Sequence, residues 1–339
     1  MGRRKRSEPR TFNKAAMRTF RDFMEKALYD PERGFYARRR PRADFYTAPE
    51  LHPAFAGVMS RRVEHLSRQM KLDSPKVVEM GAGEGLLAEQ LLEKLPHGTP
   101  YVLVERSRAV LEAALARLTP RFPQVRGCLS LDELPAGQGV FLSNELVDAF
   151  PVHVLQMNRG RVRELYVDET GAQALGDLST PELRAHAERV AEALEEGQRH
   201  AVNLEAQRWL DRVGRRLTRG ALLTVDYGSR FGVSPNPPRA FFRHSQPDDL
   251  MARAGQQDLT ASVDFDGLIA TGAGLGFKVD FYGTLSRFLL DGGIADFLPL
   301  GDSASDLKSR AQVKTLLHPE GMGEVFKVLI QTKDDRLLS

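Results

Sequence analysis

The sequence is poor in cysteine and contains no long apolar run. Among its 339 residues there is one cysteine, Cys128, which excludes an intramolecular disulfide framework and a multi-cysteine metal site. A single cysteine is also typical of a reducing compartment. A helix that crosses a bilayer needs about 20 apolar residues, whereas the apolar runs here are only as long as segments such as Ala221-Leu222-Leu223. We therefore expect no membrane insertion.

Neither sign of charge is in large excess. The chain has 48 basic and 45 acidic residues, a net charge of +3. The basic residues concentrate locally, in the tail that covers residues 1–13 and in a second cluster from Arg38 to Arg42. No aromatic residues alternate with the first run, so it offers no platform on which bases could stack. We interpret both runs as solvated surface and predict no nucleic-acid partner.

Two common hydrolase signatures are also missing. The histidines show no H-E-x-x-H spacing, and there is no G-x-S-x-G nucleophile elbow, so neither a metal nor a serine hydrolase is expected. His153 and His244 could each act as a base, although an isolated histidine is more often structural or exposed.

Strand-like and helix-like segments alternate from residue 75 onward, which predicts an α/β fold with a largely parallel sheet. The alternation stops after Pro151, where a β-hairpin with its turn at Asn158–Gly160 is predicted, followed by a helical stretch from Leu178 to Leu217. The predicted units are a basic tail (1–13), a helical N-terminal cap (14–74), the first half of the α/β core (75–150), an insertion of a hairpin plus helices (151–219), and the second half of the core (220–339), which includes a long loop (229–260).

A glycine-rich turn, Met80-Gly81-Ala82-Gly83-Glu84-Gly85, follows the first predicted core strand. Glycines at such a turn allow a ligand to approach the backbone closely, although many such turns are merely structural. A phosphate-binding turn would carry a lysine, but here Glu79 and Glu84 flank the glycines. Because two carboxylates repel a pyrophosphate, the turn favours a ligand that is cationic at this point, such as S-adenosylmethionine.

Glu105 strengthens this interpretation because it ends the second predicted core strand. A carboxylate at that position can accept hydrogen bonds from both hydroxyls of a ribose. The alternative is a surface residue that caps the next helix. Thr47 and Glu50, with Asp44, belong to the segment ADFYTAPE, a loop that could fold over the cofactor.

A second group of polar residues follows the fourth core strand. Asn144, Glu145 and Asp148 belong to the segment SNELVDAFP, and ligands of open α/β sheets bind beyond the carboxyl ends of the strands. On a helix Glu145 and Asp148 would share a face, and two converging carboxylates could hold a guanidinium by charge-assisted bonds. The alternative is that Asn144 and Asp148 cap a helix. Asp226 and Tyr227 end a later strand at the same predicted edge.

Seven motifs occur in an order that resembles the MidA family of S-adenosylmethionine-dependent methyltransferases; they are FYTAPE, VVEMGAGEG, VLVERS, SNELVDAFPVHVLQ, TVDYG, QDLTASVDF and MGEVFKVL. The resemblance implies a Rossmann-like class I methyltransferase core, a seven-stranded and mostly parallel sheet with an antiparallel last strand. It also implies that a mitochondrial relative, which assists complex I assembly, forms symmetric dimethylarginine on a complex I subunit.

By the same resemblance, the methionine end of the cofactor would be held by Glu79, Gly81, Gly83 and Gly85, and its ribose by Glu105. Asn144, Glu145 and Asp148 would face the methyl acceptor.

The sequence therefore predicts a protein-arginine N-methyltransferase that acts on a protein of respiratory-complex type, without a metal. Two alternatives stay open, namely a small-molecule methyltransferase and a non-catalytic assembly chaperone on the same fold. The start MGRRKRSEPR has no apolar stretch of the kind found in signal peptides. We expect a cytoplasmic location in a bacterium or the mitochondrial matrix in a eukaryote. The sequence does not define the oligomeric state.

Overall fold

The structure is a computed structural model that describes residues 17–37, 47–72, 75–242 and 245–337. The basic tail (1–13), the cluster from Arg38 to Arg42, and the candidate residues Asp44 and His244 lie outside these ranges.

Fifteen strands form two larger sheets and a short ribbon within the described ranges. Their bounds are β1 Arg18–Thr19, β2 Lys76–Met80, β3 Tyr101–Val104, β4 Val125–Cys128, β5 Gly137–Asn144, β6 His153–Asn158, β7 Arg161–Val167, β8 Gln173–Gly176, β9 Arg199–Val202, β10 Leu217–Ser229, β11 Arg239–Phe241, β12 Asp258–Thr260, β13 Val263–Asp264, β14 Lys278–Thr284 and β15 Phe326–Asp334.

Ten α-helices accompany these strands, and no helix of the described residues is long and apolar enough to cross a membrane. Their bounds are α1 Phe20–Tyr29, α2 Ala48–Leu51, α3 Ala54–Gln69, α4 Leu86–Leu92, α5 Arg108–Leu118, α6 Leu183–Ala191, α7 Leu204–Arg216, α8 Phe265–Gly274, α9 Leu285–Asp291 and α10 Ala304–Leu317. Short 3₁₀ turns occur at Phe35–Ala37, Leu131–Glu133, Ile294–Phe297 and Asp335–Leu337.

The main sheet is mixed, with helices packed against it. Seven of its strands follow one another in the order β14-β15-β10-β5-β2-β3-β4, and β13 pairs with β10 beside that path. The strands from β10 to β4 run parallel, whereas β15 is antiparallel to both of its neighbours. The central strands are apolar along most of their length because both faces of this sheet are buried. Because the strands from β10 to β4 run parallel, their carboxyl ends meet at the same edge of the main sheet.

The second sheet has the strand order β1-β7-β6-β9, with β8 paired to β7. The hairpin of β6 and β7 turns at Arg159 and Gly160, whose φ angles of +50° and +71° suit a two-residue primed turn. The stretch from Leu178 to Leu217, predicted as helical, contains α6 and α7, but β9 lies between them and pairs with β6. The stretch 229–260, predicted as a loop, contains β11 and β12, which pair with each other.

The segment predicted as an N-terminal cap divides between the two sheets. Helix α3 buries ten residues, and its apolar side chains belong to the core of the main sheet. Helix α1 instead packs its apolar face on the second sheet, with Phe20, Met24 and Leu28 fully buried there. The N-terminal elements therefore connect both sheets and extend along one side of the strand edge.

Candidate functional site

One cavity of about 750 Å³ opens at the carboxyl edge of the main sheet. Its lining comes from the turns that follow β2, β3, β4 and β5, and also from helices α1 and α7. This is the position at which open α/β sheets bind their ligands. Eight predicted site residues line it, namely Thr47, Glu50, Glu79, Gly81, Gly83, Glu105, Asn144 and Glu145, and Gly85 lies between the lining residues Glu84 and Leu86.

The glycine turn needs its glycines for two different reasons. Gly81, Gly83 and Gly85 have φ angles of +68°, +51° and +75°, which side chains of L-residues rarely adopt. A Cβ at Gly81 would lie 2.7 Å from Leu146 Cδ1, whereas a Cβ at Gly83 would meet no atom within 4 Å. Gly83 therefore presents bare backbone to the cavity, and Gly81 permits close packing against the turn after β5.

Glu105 is fixed in position before any ligand binds. Its Oε2 accepts a hydrogen bond from the Gly83 N–H at 3.1 Å, and its Oε1 accepts one from the Ser107 N–H at 2.9 Å. The carboxylate at the end of β3 is thus joined to the glycine turn after β2. This arrangement can present carboxylate oxygens to the hydroxyls of a ribose without rearrangement.

Glu79 lies at the floor of the cavity and is 4% exposed. Burial raises the pKa of its carboxyl to about 7, although the hydroxyl of Tyr101 donates a hydrogen bond to Oε2 at 2.7 Å and favours ionisation. A buried carboxyl that titrates near neutrality is stabilised in its ionised form by a nearby cation. The floor of the cavity is therefore suited to an ammonium or sulfonium group.

The segment from Glu145 to Phe150 is a turn and not the helix on which the sequence analysis paired Glu145 with Asp148. Glu145 has a φ of +52°, in the left-handed region that a non-glycine residue adopts at a cost. Buried Asp226, at the end of β10, holds the turn, because its Oδ2 accepts N–H bonds from Leu146 at 3.2 Å and Val147 at 2.8 Å. The geometry around Glu145 is thus imposed by the neighbouring strand.

Glu145 points its carboxyl toward α2. Its Oε1 accepts hydrogen bonds from the Ala48 N–H at 3.2 Å and from the Asn144 side-chain amide at 3.1 Å. Burial raises the pKa of this carboxyl to about 8, and the two donors oppose that rise. The buried amide oxygen of Asn144 receives no hydrogen bond from any described residue. Both residues therefore have acceptor capacity that a cationic, hydrogen-bond-donating ligand could use.

Asp148 is placed differently from the prediction. It is not part of the cavity lining among the described residues. Burial, followed by the charge of Asp226, raises its pKa well above the usual range. Asp226 also has a raised pKa because of burial, but the backbone N–H groups bound to it favour its ionised form. We assign the negative charge to Asp226 and the proton to Asp148.

Thr47 and Glu50 begin α2 at the rim of the cavity. Glu50 Oε2 accepts hydrogen bonds from the Thr47 N–H at 2.9 Å and from its hydroxyl at 3.3 Å, which forms a capping box. With the Ala48–Glu145 bond, this cap holds α2 against the turn after β5. His153, a lesser candidate, lies instead in the second sheet, where its Nδ1 is 2.7 Å from Glu164 Oε1.

Several lining residues were missed by the sequence analysis. Tyr29 and Tyr36 stack at 5.5 Å, and their hydroxyls donate to the Ala149 carbonyl and to Asp258 Oδ1, both at 2.9 Å. Trp209 of α7 packs edge-on against Phe150 at 6.0 Å. No local pattern marks these residues, since they come from elements that are distant along the chain. Together they add aromatic side chains to the lining of the cavity.

The lining is strongly acidic. It includes nine acidic residues and two arginines, Arg106 and Arg212. The acidic ones are Glu25, Glu50, Glu79, Glu84, Glu105, Asp132, Glu145, Glu205 and Asp258. A cleft lined by one sign of charge raises the local concentration of the opposite sign. The cavity therefore favours cationic ligands and disfavours phosphates.

The chain belongs to a family of S-adenosyl-L-methionine-dependent methyltransferases, whose model matches residues 58–283. This membership confirms the methyltransferase resemblance that the seven motifs indicated.

Particular relatives agree with this membership. The chain is 28% identical to the mitochondrial protein arginine methyltransferase NDUFAF7 of Danio rerio, over 90% of this chain and 81% of the relative. It is 27% identical to the protein of that name from Mus musculus, over 94% and 82%. A crystal structure of a methyl transferase-type protein from Burkholderia thailandensis, bound to S-adenosyl-homocysteine, matches with a TM-score of 0.81 at 29% identity, over 94% of this chain and 88% of that one.

These findings confirm S-adenosylmethionine as the cofactor. The described residues fit it, because the cavity combines bare backbone at Gly83, a fixed carboxylate at Glu105 and a buried carboxyl at Glu79.

Proposed function

We propose that this enzyme is a class I methyltransferase that transfers a methyl group to an arginine nitrogen of a protein. The strand order of the main sheet, with β15 antiparallel between β10 and β14, supports the class I assignment. The names of the mitochondrial relatives support arginine as the acceptor. In this proposal the target is a protein of respiratory-complex type, as the family resemblance implies.

The observation that carries the proposal is the half-buried pair of Asn144 and Glu145 at the cavity wall. Arginine keeps its charge at physiological pH and is a poor nucleophile. Its planar guanidinium carries five N–H donors and needs acceptors in fixed positions. The unpaired amide oxygen of Asn144 and the carboxyl of Glu145 supply such acceptors.

Bound S-adenosylmethionine supplies an electrophilic methyl group at its sulfonium. Glu145 would orient the guanidinium so that one nitrogen faces that methyl group, and positioning of this kind can contribute about 7–11 kcal/mol. The new N–C bond would form as the methyl–sulfur bond breaks, and one proton of the guanidinium nitrogen would pass to the Glu145 carboxylate. A carboxyl with a pKa of about 8 accepts a proton more readily than an ordinary glutamate.

The other predicted residues take supporting roles in this proposal. Glu79, Gly81, Gly83 and Gly85 would hold the methionine end of the cofactor, and Glu105 the ribose. Thr47 and Glu50 would close α2 over the site. Asp148 would act as a positioning residue beneath the turn, because it neighbours Asp226 behind the cavity wall.

The test is to identify the methylated atom. The protein is incubated with methyl-labelled S-adenosylmethionine and, separately, with an extract of cell proteins or of metabolites, and the labelled products are hydrolysed and identified by mass spectrometry. We expect label in methylarginine from protein. Label in a small molecule would favour that alternative. If wild-type protein and the Gly83→Arg variant assist a partner equally well without any labelling, the chaperone alternative would replace the enzyme.

A further inference from the structure

One of the two arginines in the cavity wall already sits in a guanidinium site. The Arg106 guanidinium lies over the ring of Tyr29, with its Cζ 4.0 Å from the ring centroid. Its Nη2 donates a hydrogen bond to Glu25 Oε1 at 2.8 Å. Tyr29, Glu25 and Arg106 all line the cavity. An aromatic face beside a carboxylate is the combination that recognises a guanidinium in general.

The residues that hold the Arg106 guanidinium, Tyr29 and Glu25, are themselves positioned by contacts that do not involve Arg106. The Tyr29 ring stacks on Tyr36, and its hydroxyl is bonded to the Ala149 carbonyl, within the turn that carries Glu145. Glu25 also lies 4.0 Å from Arg21 of the same helix. The stacking and the hydroxyl bond hold the ring, and Glu25 stays beside it because residues four apart on α1 share a face. The site would therefore keep its shape if Arg106 moved away.

The side chain of Arg106 is weakly held. Its exposed fraction is 55% and that of Glu25 is 32%, so solvent screens their ion pair, and such pairs contribute about 0–1 kcal/mol. The stacking of a partly exposed guanidinium on a tyrosine adds roughly 0.5–1 kcal/mol. A guanidinium from a ligand can therefore replace that of Arg106. Because the Arg106 side chain is tethered to the protein, it competes with a ligand guanidinium for this site at an effective concentration on the order of millimolar.

We propose that Tyr29 and Glu25 form a second guanidinium subsite, filled by Arg106 in this structure and open to a second arginine of the acceptor segment. This inference rests on the proposed function, since it assumes a protein acceptor with an arginine at Glu145. It makes the enzyme selective for segments that carry two arginines. Arg106 acts as an internal competitor at this subsite, so it weakens the binding of two-arginine segments and leaves the binding of one-arginine segments unchanged.

The test measures binding of acetylated glycine-rich peptides with one arginine or with two arginines at varied spacing. Calorimetry is done with S-adenosylhomocysteine bound, on the wild type and on the Arg106→Ala and Arg106→Gln variants. We expect both variants to bind the best two-arginine peptide about tenfold more tightly than the wild type, because the internal competitor is gone. Affinity for the one-arginine peptide should stay unchanged. Arg108→Ala, at an exposed neighbour that pairs with Glu112 at 3.9 Å, is the matched control and should change neither affinity.

Adding Glu25→Gln to Arg106→Ala should abolish the gain. The inference is overturned if both folded Arg106 variants bind the two peptides as the wild type does, or bind both more weakly, since Arg106 would then only fasten α1. Methylation of the one-arginine peptide is measured in parallel. The two-arginine peptide is assayed in the same way, and absence of methylation of both peptides by the wild type would contradict the proposed function, whereas the binding comparison reports on the subsite alone.

Discussion

At the scale of single residues, the site depends on carboxyl groups whose burial moves their titration toward neutral pH. Glu79 has a pKa of about 7 and Glu145 a pKa of about 8 without a ligand. The folded cofactor-free protein therefore keeps protons that the unfolded chain releases above its ordinary glutamate pKa. Stability of that form should fall as pH rises from about 4.5 toward these values. Cationic ligands favour the ionised carboxylates and should oppose the loss.

The first prediction follows from that linkage. Binding of S-adenosylmethionine at pH 7 should release protons, because the cationic cofactor lowers the pKa of Glu79. Calorimetric titrations in two buffers with different ionisation enthalpies measure the release. Glu79→Gln should reduce it and weaken binding. Equal heats in both buffers for the wild type would show that no buried carboxyl near the cofactor changes its protonation.

The second prediction compares two glycines that both have a positive φ angle. Gly83 and Gly98 have φ angles of +51° and +80°, and an added Cβ at either would meet no atom within 4 Å. An alanine at either position should cost about 1–2 kcal/mol of stability through its left-handed backbone. Thermal unfolding should show this similar loss, but only Gly83→Ala should weaken binding of S-adenosylmethionine in calorimetry. Equal effects on binding would remove Gly83 from the cofactor site.

The residues that could be predicted from the sequence are those in local motifs. Glu79, the three glycines and Glu105 follow two consecutive parallel strands, so the order of elements alone brings them to one edge. Tyr29 and Trp209 could not be predicted, because they reach the cavity from a helix before the core and from one between β5 and β10. Only the packing of those helices against the sheets brings them there.

At the scale of elements, the turn from Glu145 to Phe150 shows where a pattern misleads. A strand followed by Asn, Glu and Asp resembles the start of a helix, but the backbone N–H groups of the turn bond to Asp226 of β10 instead. This contact is 80 residues away along the chain and leaves no local signal. In the same way, the local sequence does not indicate β9, because this strand is defined by its pairing with β6, which is a tertiary contact.

The third prediction tests this support. Asp226→Asn replaces one acceptor oxygen by an N–H donor that faces backbone N–H groups, which should cost about 1–3 kcal/mol of stability. We also expect a lower rate of methyl transfer with little change in cofactor affinity, because Glu145 loses its fixed position. Thermal unfolding, calorimetry and turnover measure the three effects. The control is Asp211→Asn on the exposed face of α7, which pairs with Arg215. If Asp226→Asn turns over at the wild-type rate, the turn does not depend on this carboxylate.

At the scale of the whole molecule, two sheets and the helices between them enclose one acidic cavity. The main sheet supplies the residues that we propose bind the cofactor, and α1 and α7, together with the turn after β5, supply further lining residues. The parallel core was predictable from alternating strands and helices. Of the second sheet, only the hairpin of β6 and β7 was predictable, since β1 joins β7 more than 140 residues later in the chain.

The measurement that tests the central claim most directly is the fourth prediction, steady-state kinetics of Glu145→Gln with an arginine peptide. We expect kcat to fall by about 10²- to 10⁴-fold, because the amide cannot accept the guanidinium proton, while calorimetry shows unchanged affinity for S-adenosylmethionine. Wild-type activity should also rise with pH through about 8, and the variant should lose that dependence. A Glu145→Gln enzyme that methylates arginine at the wild-type rate would contradict the account.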